Sequence, residues 1–127
     1  MLNNQVISLE KSSDELKAGV RAQAAETARQ LMAISGVSGV VITNRQGDLF
    51  EEVGEHPAGA TAAANNSSIA NNIEQAGGAL GLGTLNKIIL VGSADAFVVS
   101  CRGDELLSIY APAPKMAGVD RKLDKLA

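Results

Sequence analysis

An α/β (α+β) domain with the element order αββαβββα is what this sequence predicts. Three observations carry the expectation. Apolar residues recur every three or four positions in two stretches, as helices with one buried stripe require. Five β-branched or apolar runs are divided by turn-forming residues. The turns between runs one and two, three and four, and four and five are tight enough to demand antiparallel pairing. Several runs are apolar at consecutive positions, so both faces of the sheet need cover.

Each element follows from its residues. Ser12 and Glu15 have capping-box spacing, and Asp14 and Glu15 suit the positive end of a helix dipole. Leu16, Val20, Ala24, Ala28, Leu31 and Ile34 then form one stripe, with Gly36 as a natural stop, so helix one is expected over residues 14–35. Val40-Val41-Ile42-Thr43, the turn-rich residues 44–48 and the run 49–53 read as a hairpin. His56-Pro57 breaks the chain. From residue 58 to about 80 the side chains are small, with Ala62, Ile69, Ile73, Ala76 and Leu80 as the stripe of helix two. Gly77-Gly78 and Gly81-Leu82-Gly83 are expected to fray and end it. Strands three, four and five are expected at 88–91, 96–101 and 106–111. Pro112 and Pro114 end the sheet, and Val119, Leu123 and Leu126 suggest a short last helix.

The chain has 127 residues, which suits one domain, here 14–127 behind a tail of residues 1–13. A domain of this size needs no disulfide or structural metal. Its core must come from aliphatic side chains, since aromatics are 2% of the sequence. Net charge is −3 with no basic stripe, which argues against nucleic acid. One cysteine, Cys101, excludes an internal disulfide and favours a reducing compartment. Residues 1–10 carry no basic residue and no long apolar run, unlike a signal peptide, and no stretch approaches a membrane span. A cytoplasmic protein without membrane contact is expected.

Three stretches carry a resemblance. They are Gly39-Val40-Val41-Ile42-Thr43-Asn44-Arg45-Gln46-Gly47, Leu80-Gly81-Leu82-Gly83-Thr84-Leu85-Asn86-Lys87-Ile88-Ile89-Leu90 and Gly103-Asp104-Glu105-Leu106-Leu107-Ser108-Ile109-Tyr110. In this order and spacing the chain resembles the roadblock/dynein light-chain family of bacteria or archaea, over nearly its whole length. The resemblance implies a profilin-like three-layer fold, with helix two on one face of a five-stranded antiparallel sheet and helices one and three on the other. It implies dimers joined through third strands and second helices. It also implies a non-catalytic adaptor or regulator of Ras-like small GTPases, some relatives accelerating GTP hydrolysis by remodelling the GTPase rather than by supplying an arginine.

The residues argue for a dimer on their own. Leu85-Asn86-Lys87-Ile88-Ile89-Leu90-Val91 would be an apolar edge strand with one charge, a hazard unless paired. Ala63, Ala70 and Gly77 recur seven apart on helix two, a smooth stripe for close approach of a second helix or of its own sheet. The expected dimer interface is therefore Ala63, Ala70, Gly77, Lys87, Ile89 and Val91. Asn65, Ser68, Asn72 and Gln75 line the polar side of helix two, with Asn71 among them and only Glu74 charged. Solvated helix faces are usually rich in Lys and Glu, so these four are the expected partner-binding residues.

No chemistry competes with that reading. Gly81-Leu82-Gly83-Thr84 follows a helix and precedes a strand, the reverse of a phosphate loop, and lacks its lysine. Cys101 reads as a buried small hydrophobe on the face of Phe97 and Val99, and His56 as a solvated loop residue. One His and one Cys cannot close a zinc site. Arg45 and Arg102, with Asp48 and Asp104, fall in turns at one end of the sheet, a charged rim or plain solvated turns. No enzyme activity, cofactor or metal is expected. The expected function is a homodimeric regulator of a small Ras-like GTPase, in its stronger form a GTPase-activating partner. The alternative is a structural adaptor without effect on nucleotide turnover. A small-molecule sensor is disfavoured, because no polar groups converge on a pocket.

Overall fold

The computed structural model of the chain describes residues 19–56 and 61–126. The order is helix α1 (residues 19–32), strands β1 (Gly39–Asn44) and β2 (Leu49–Gly54), helix α2 (Ala62–Ala79), strands β3 (Lys87–Val91), β4 (Asp95–Arg102) and β5 (Glu105–Pro112), and helix α3 (Met116–Leu126). A 3-10 turn at Ala113–Lys115 leads into α3, opened by Pro112 and Pro114. The expected tail, the capping box and the start of helix one lie outside the described residues. Helix one ends earlier than expected. It stops at residue 32, and a turn containing Gly36 (φ 101°) carries the chain back to the sheet, while Ile34 beyond the helix still reaches the core.

The sheet order is β2-β1-β5-β4-β3, antiparallel throughout. β1 and β5 are central and almost wholly buried, which suits their unbroken apolar runs. Val40, Ile42, Val98, Leu107 and Ile109 point to one face and pack on Ala24, Ala28 and Leu31 of α1 and Met116 and Val119 of α3. Their alternates Val41, Val99, Leu106 and Tyr110 point to the other face, under Ala62 and Ala70 of α2. Two layers of helix thus sandwich one sheet. Ile42, Leu106, Leu107 and Ile109 are fully buried, and each contributes roughly 1.5–3 kcal/mol by leaving water.

The two faces are not equally well filled. α1 and α3 bury aliphatic side chains, whereas α2 buries only Ala62, Asn66, Ser67 and Ala70. Asn66 Nδ2 donates to Tyr110 Oη at 2.9 Å. Thr43 Oγ1 and Ser108 Oγ, buried on the same sheet face, find no partner among the described residues. Such groups cost about 1–3 kcal/mol each, so α2 needs attachment from elsewhere, and Arg45 supplies it as described below.

The two outer edges also differ. β2 pairs with β1 through a bulge between Ile42 and Thr43 and carries Glu51 and Glu52. Bulges and charges blunt an edge against further pairing. β3 reads Lys-Ile-Ile-Leu-Val, pairs with β4 without a bulge and has a charge only at its first residue.

Candidate protein-interaction surface

Of the eight large hydrophobic side chains exposed among the described residues, five lie between residues 80 and 91. They are Leu80, Leu82, Ile89, Leu90 and Val91, with Leu80 75% exposed, Leu82 73% and Val91 64%. The concentration follows from topology. β3 is the last strand of the sheet, and the connection from α2 to β3 runs along the same side. Lys87, at the head of β3, turns its ammonium away to α3, donating to Asp120 at 2.8 Å and Asp124 at 3.0 Å. Those hydrogen bonds, Asp120 first, hold its pKa above the usual lysine range. The edge therefore presents backbone and apolar side chains, and its one charge is neutralised within the chain.

The predicted small-residue stripe on α2 divides. Ala70 is 0% exposed and packs on Ile88, Val99 and Leu106. It lets α2 sit close to its own sheet and offers nothing to a second copy, which corrects its place in the expected interface. Ala63 and Gly77 remain half-buried.

Asn65, Ser68, Asn72 and Gln75 all lie exposed along one stripe of α2, spaced three, four and three apart. Two neighbours expected to share this face are tied to other elements, Asn71 while still exposed and Glu74 half-buried. Asn71 donates to the Arg45 carbonyl at 3.0 Å. Glu74 takes Arg45 Nη1 and also accepts the Leu85 backbone N–H. Glu74 is the one ionisable side chain of α2, so the exposed stripe carries no charge at all.

Arg45 is accordingly not a solvated turn residue. Its side chain is 17% exposed. Nε donates to the Gly103 carbonyl at 3.1 Å, and the Arg45 N–H donates to the Asp104 carbonyl at 3.1 Å. One residue thus ties together the β1–β2 turn, the β4–β5 turn, α2 and, through Glu74, the approach to β3. Asp48 is held by Asn44 at 2.9 Å, while Arg102 stays exposed at the same end of the sheet.

His56 contradicts the expectation of a solvated loop. Its side chain is 3% exposed, stacks on Tyr110 at 5.2 Å between ring centroids, and sets Nε2 against the Glu52 carboxylate. The His-Pro pair hid this, because nothing local signals that His56 packs on Tyr110. Phe97 stacks on the other flank of Tyr110 at 5.5 Å and 13° between planes. Burial raises the Tyr110 pKa, against the lowering effect of the hydrogen bond from Asn66. Cys101 sits where expected, half-buried beside Val99, and burial pushes its thiol pKa up. Among the described residues no group of three His, Cys, Asp or Glu could hold a metal ion, and no helix is long and apolar enough to cross a membrane.

Strand order and helices on both faces, with β3 the last strand among the described residues, define a three-layer α/β domain of profilin-like architecture. More particularly, the fold is that of the roadblock/LC7 domain. The gliding protein MglB from Thermus thermophilus superposes with a TM-score of 0.66, at 17% identity over 80% of this chain and 82% of that one. MglB in a tetrameric arrangement gives 0.71 at 16% identity, covering 82% and 81%. A roadblock/LC7 domain from Streptomyces avermitilis gives 0.58 at 17%, covering 76% and 89%. No protein-family model and no curated protein sequence matches the chain. The shared property is the fold, and it bears out the resemblance carried by the three sequence stretches.

Proposed function

We propose that this chain is a non-catalytic, homodimeric regulator of a small Ras-like GTPase, working in the cytoplasm. The observation that carries the reading is the apolar outer edge at β3, its one charge paired within the chain, on a domain of roadblock fold. Two such edges joined would hide the exposed Ile89 and Val91 and bring two α2 helices onto one face. The uncharged stripe of Asn65, Ser68, Asn72 and Gln75 from each copy would then form a symmetric platform. A single GTPase bound across it would break the symmetry, two chains to one partner. The MglB likeness supports the assignment, as does the family resemblance in sequence, whose members regulate such GTPases.

Acceleration of GTP hydrolysis is the stronger form of the proposal. Arg45 is committed to Gly103 and Glu74. Any acceleration would come from rearranging the GTPase's own groups rather than from Arg45 entering its site. The test is a pull-down from native cytosol with the tagged chain, in buffers holding a GTP analogue or GDP. Retention of a Ras-like GTPase with the analogue alone is expected, followed by faster hydrolysis in a turnover assay. Equal retention in both buffers would instead make the chain an adaptor without influence on turnover.

A further inference from the structure

The α2–β3 corner ends in a stiff apolar knob. Leu82 N–H donates to the Gly77 carbonyl at 2.9 Å and Gly81 N–H to the Gly78 carbonyl at 3.0 Å, with Gly81 at φ 76°. This is a Schellman closure, which hydrogen-bonds the chain as far as Leu82. Leu82 lies against Gly77, where no side chain can cover it. Leu80 and Leu82 consequently stand three-quarters exposed at fixed positions, on the α2 side of the sheet and next to the Lys87 end of β3.

The opposite end of the same face has a matching void. α2 crosses the sheet obliquely: Ala62 sits over Val41 and Tyr110, while Ile69, Ala70 and Ile73 sit over Ile88, Val99 and Leu106. Among the described residues, none of α2 covers the Val91 end of β3 and the start of β4. A hollow of about 220 Å³ opens there, lined by Leu90, Gly92, Asp95, Ala96, Phe97 and Tyr110, with the stacked Phe97 and Tyr110 rings among its walls. Ligand pockets usually start at about 300 Å³. This one suits an apolar side chain better than a small molecule.

Knob and hollow lie at opposite ends of β3 and cannot meet within one chain. Two copies bring them together. A closed two-fold that lets the same edge strand hydrogen-bond to itself runs perpendicular to the sheet. It makes the two β3 strands antiparallel and keeps both α2 helices on one face. The Lys87 end of one β3 then lies beside the Val91 end of the other, on the same face. We infer that Leu82 of each copy, with Leu80 beside it, seats in the hollow formed by Leu90, Phe97 and Tyr110 of the other copy. The inference rests on the homodimer proposed above and adds a reciprocal lock that fixes its register. Since the lock occurs twice per dimer, it favours this pairing over strand slips that would strand both leucines in water.

Site-directed disulfide trapping in the full chain tests this. In a Cys101→Ser background, Ile89→Cys reports edge pairing alone. Mixed Leu82→Cys and Leu90→Cys chains of different tag length report the lock. Mild oxidation should give a mixed-tag dimer from the second pair as well as a dimer from Ile89→Cys. Leu82→Ala, at an exposed site with little bearing on folding, should raise the dimer dissociation constant by about tenfold or more. A dimer that traps through Ile89→Cys but not between Leu82→Cys and Leu90→Cys, or an unchanged dissociation constant, would overturn the lock and leave the homodimer standing. A chain that sediments as a monomer at all concentrations would overturn the homodimer itself, and the lock with it.

Discussion

Arg45 is the residue whose local sequence says least about its task. It stands in a turn of Asn, Gln, Gly and Asp, a setting typical of solvated charge, yet it fastens α2 and two turns across 29 and 58 residues of chain. Arg45→Ala should cost about 1–3 kcal/mol, because it strips Glu74 and the Gly103 carbonyl of partners in a half-buried place. Urea denaturation measures this, and an unchanged midpoint would show the contacts to be idle. A second residue-scale expectation concerns alkali. Cys101, Tyr110 and Lys87 all have pKa values raised in the fold. The unfolded chain therefore loses these protons first, and stability must fall as pH rises past about 8.5, the ordinary thiol value, and further near 10. Cys101→Ala should remove the earliest part of that fall in denaturant titrations between pH 7 and 11. His56 and Arg45 were misread from sequence for one reason: their partners lie on other elements, and a turn motif reports only its own neighbours. Cys101 was read correctly because alternation along a strand is local information.

At the scale of elements, α2 is held by shape and polar ties more than by apolar area. Its buried residues are two alanines, an asparagine and a serine. That is why a small-residue stripe in sequence admitted two meanings, and why Ala70 went to the sheet rather than to a second helix. Its outer stripe was legible, since residues three and four apart share a face whatever the helix packs on. The ties of Asn71 and Glu74 were not, because their partner, Arg45, lies on another element. Asn72→Lys places a charge on the outer stripe without touching the core. It should leave folding and self-association unchanged while weakening GTPase capture about tenfold, read by titrating the retained partner. Undiminished capture would clear α2 of the role. The strands were legible to within a residue or two, as β-branched runs between turns must be. The helix ends were legible in part: α2 ends at Ala79, within a residue of the expected 80, whereas α1 stops short of Gly36.

For the whole molecule, the order αββαβββα was readable because each connection is short and each run has one period. The layer arrangement followed from consecutive apolar positions in the central strands. The third strand was also expected at an edge, from its apolar run, and the sheet order places β3 there. Ile89→Lys would set a charge on the β3 edge, where Ile89 pairs with Val98. It should convert a dimer to monomer or aggregate in sedimentation, since a desolvated lysine without a partner is costly. An intact dimer would move the contact away from β3.

The contrast between the two sheet edges also limits growth. A sheet with two adhesive borders would add copies head to tail without end, in the manner of a fibril. Here the β2 border is kinked by its bulge and carries two carboxylates, so it would repel the copy that the β3 border is proposed to attract. A copy that docks through β3 turns its own β2 outward, so each addition consumes adhesive surface and presents none. In the proposed dimer, Glu51, Glu52 and one irregular register would act as the stop signal for polymerisation.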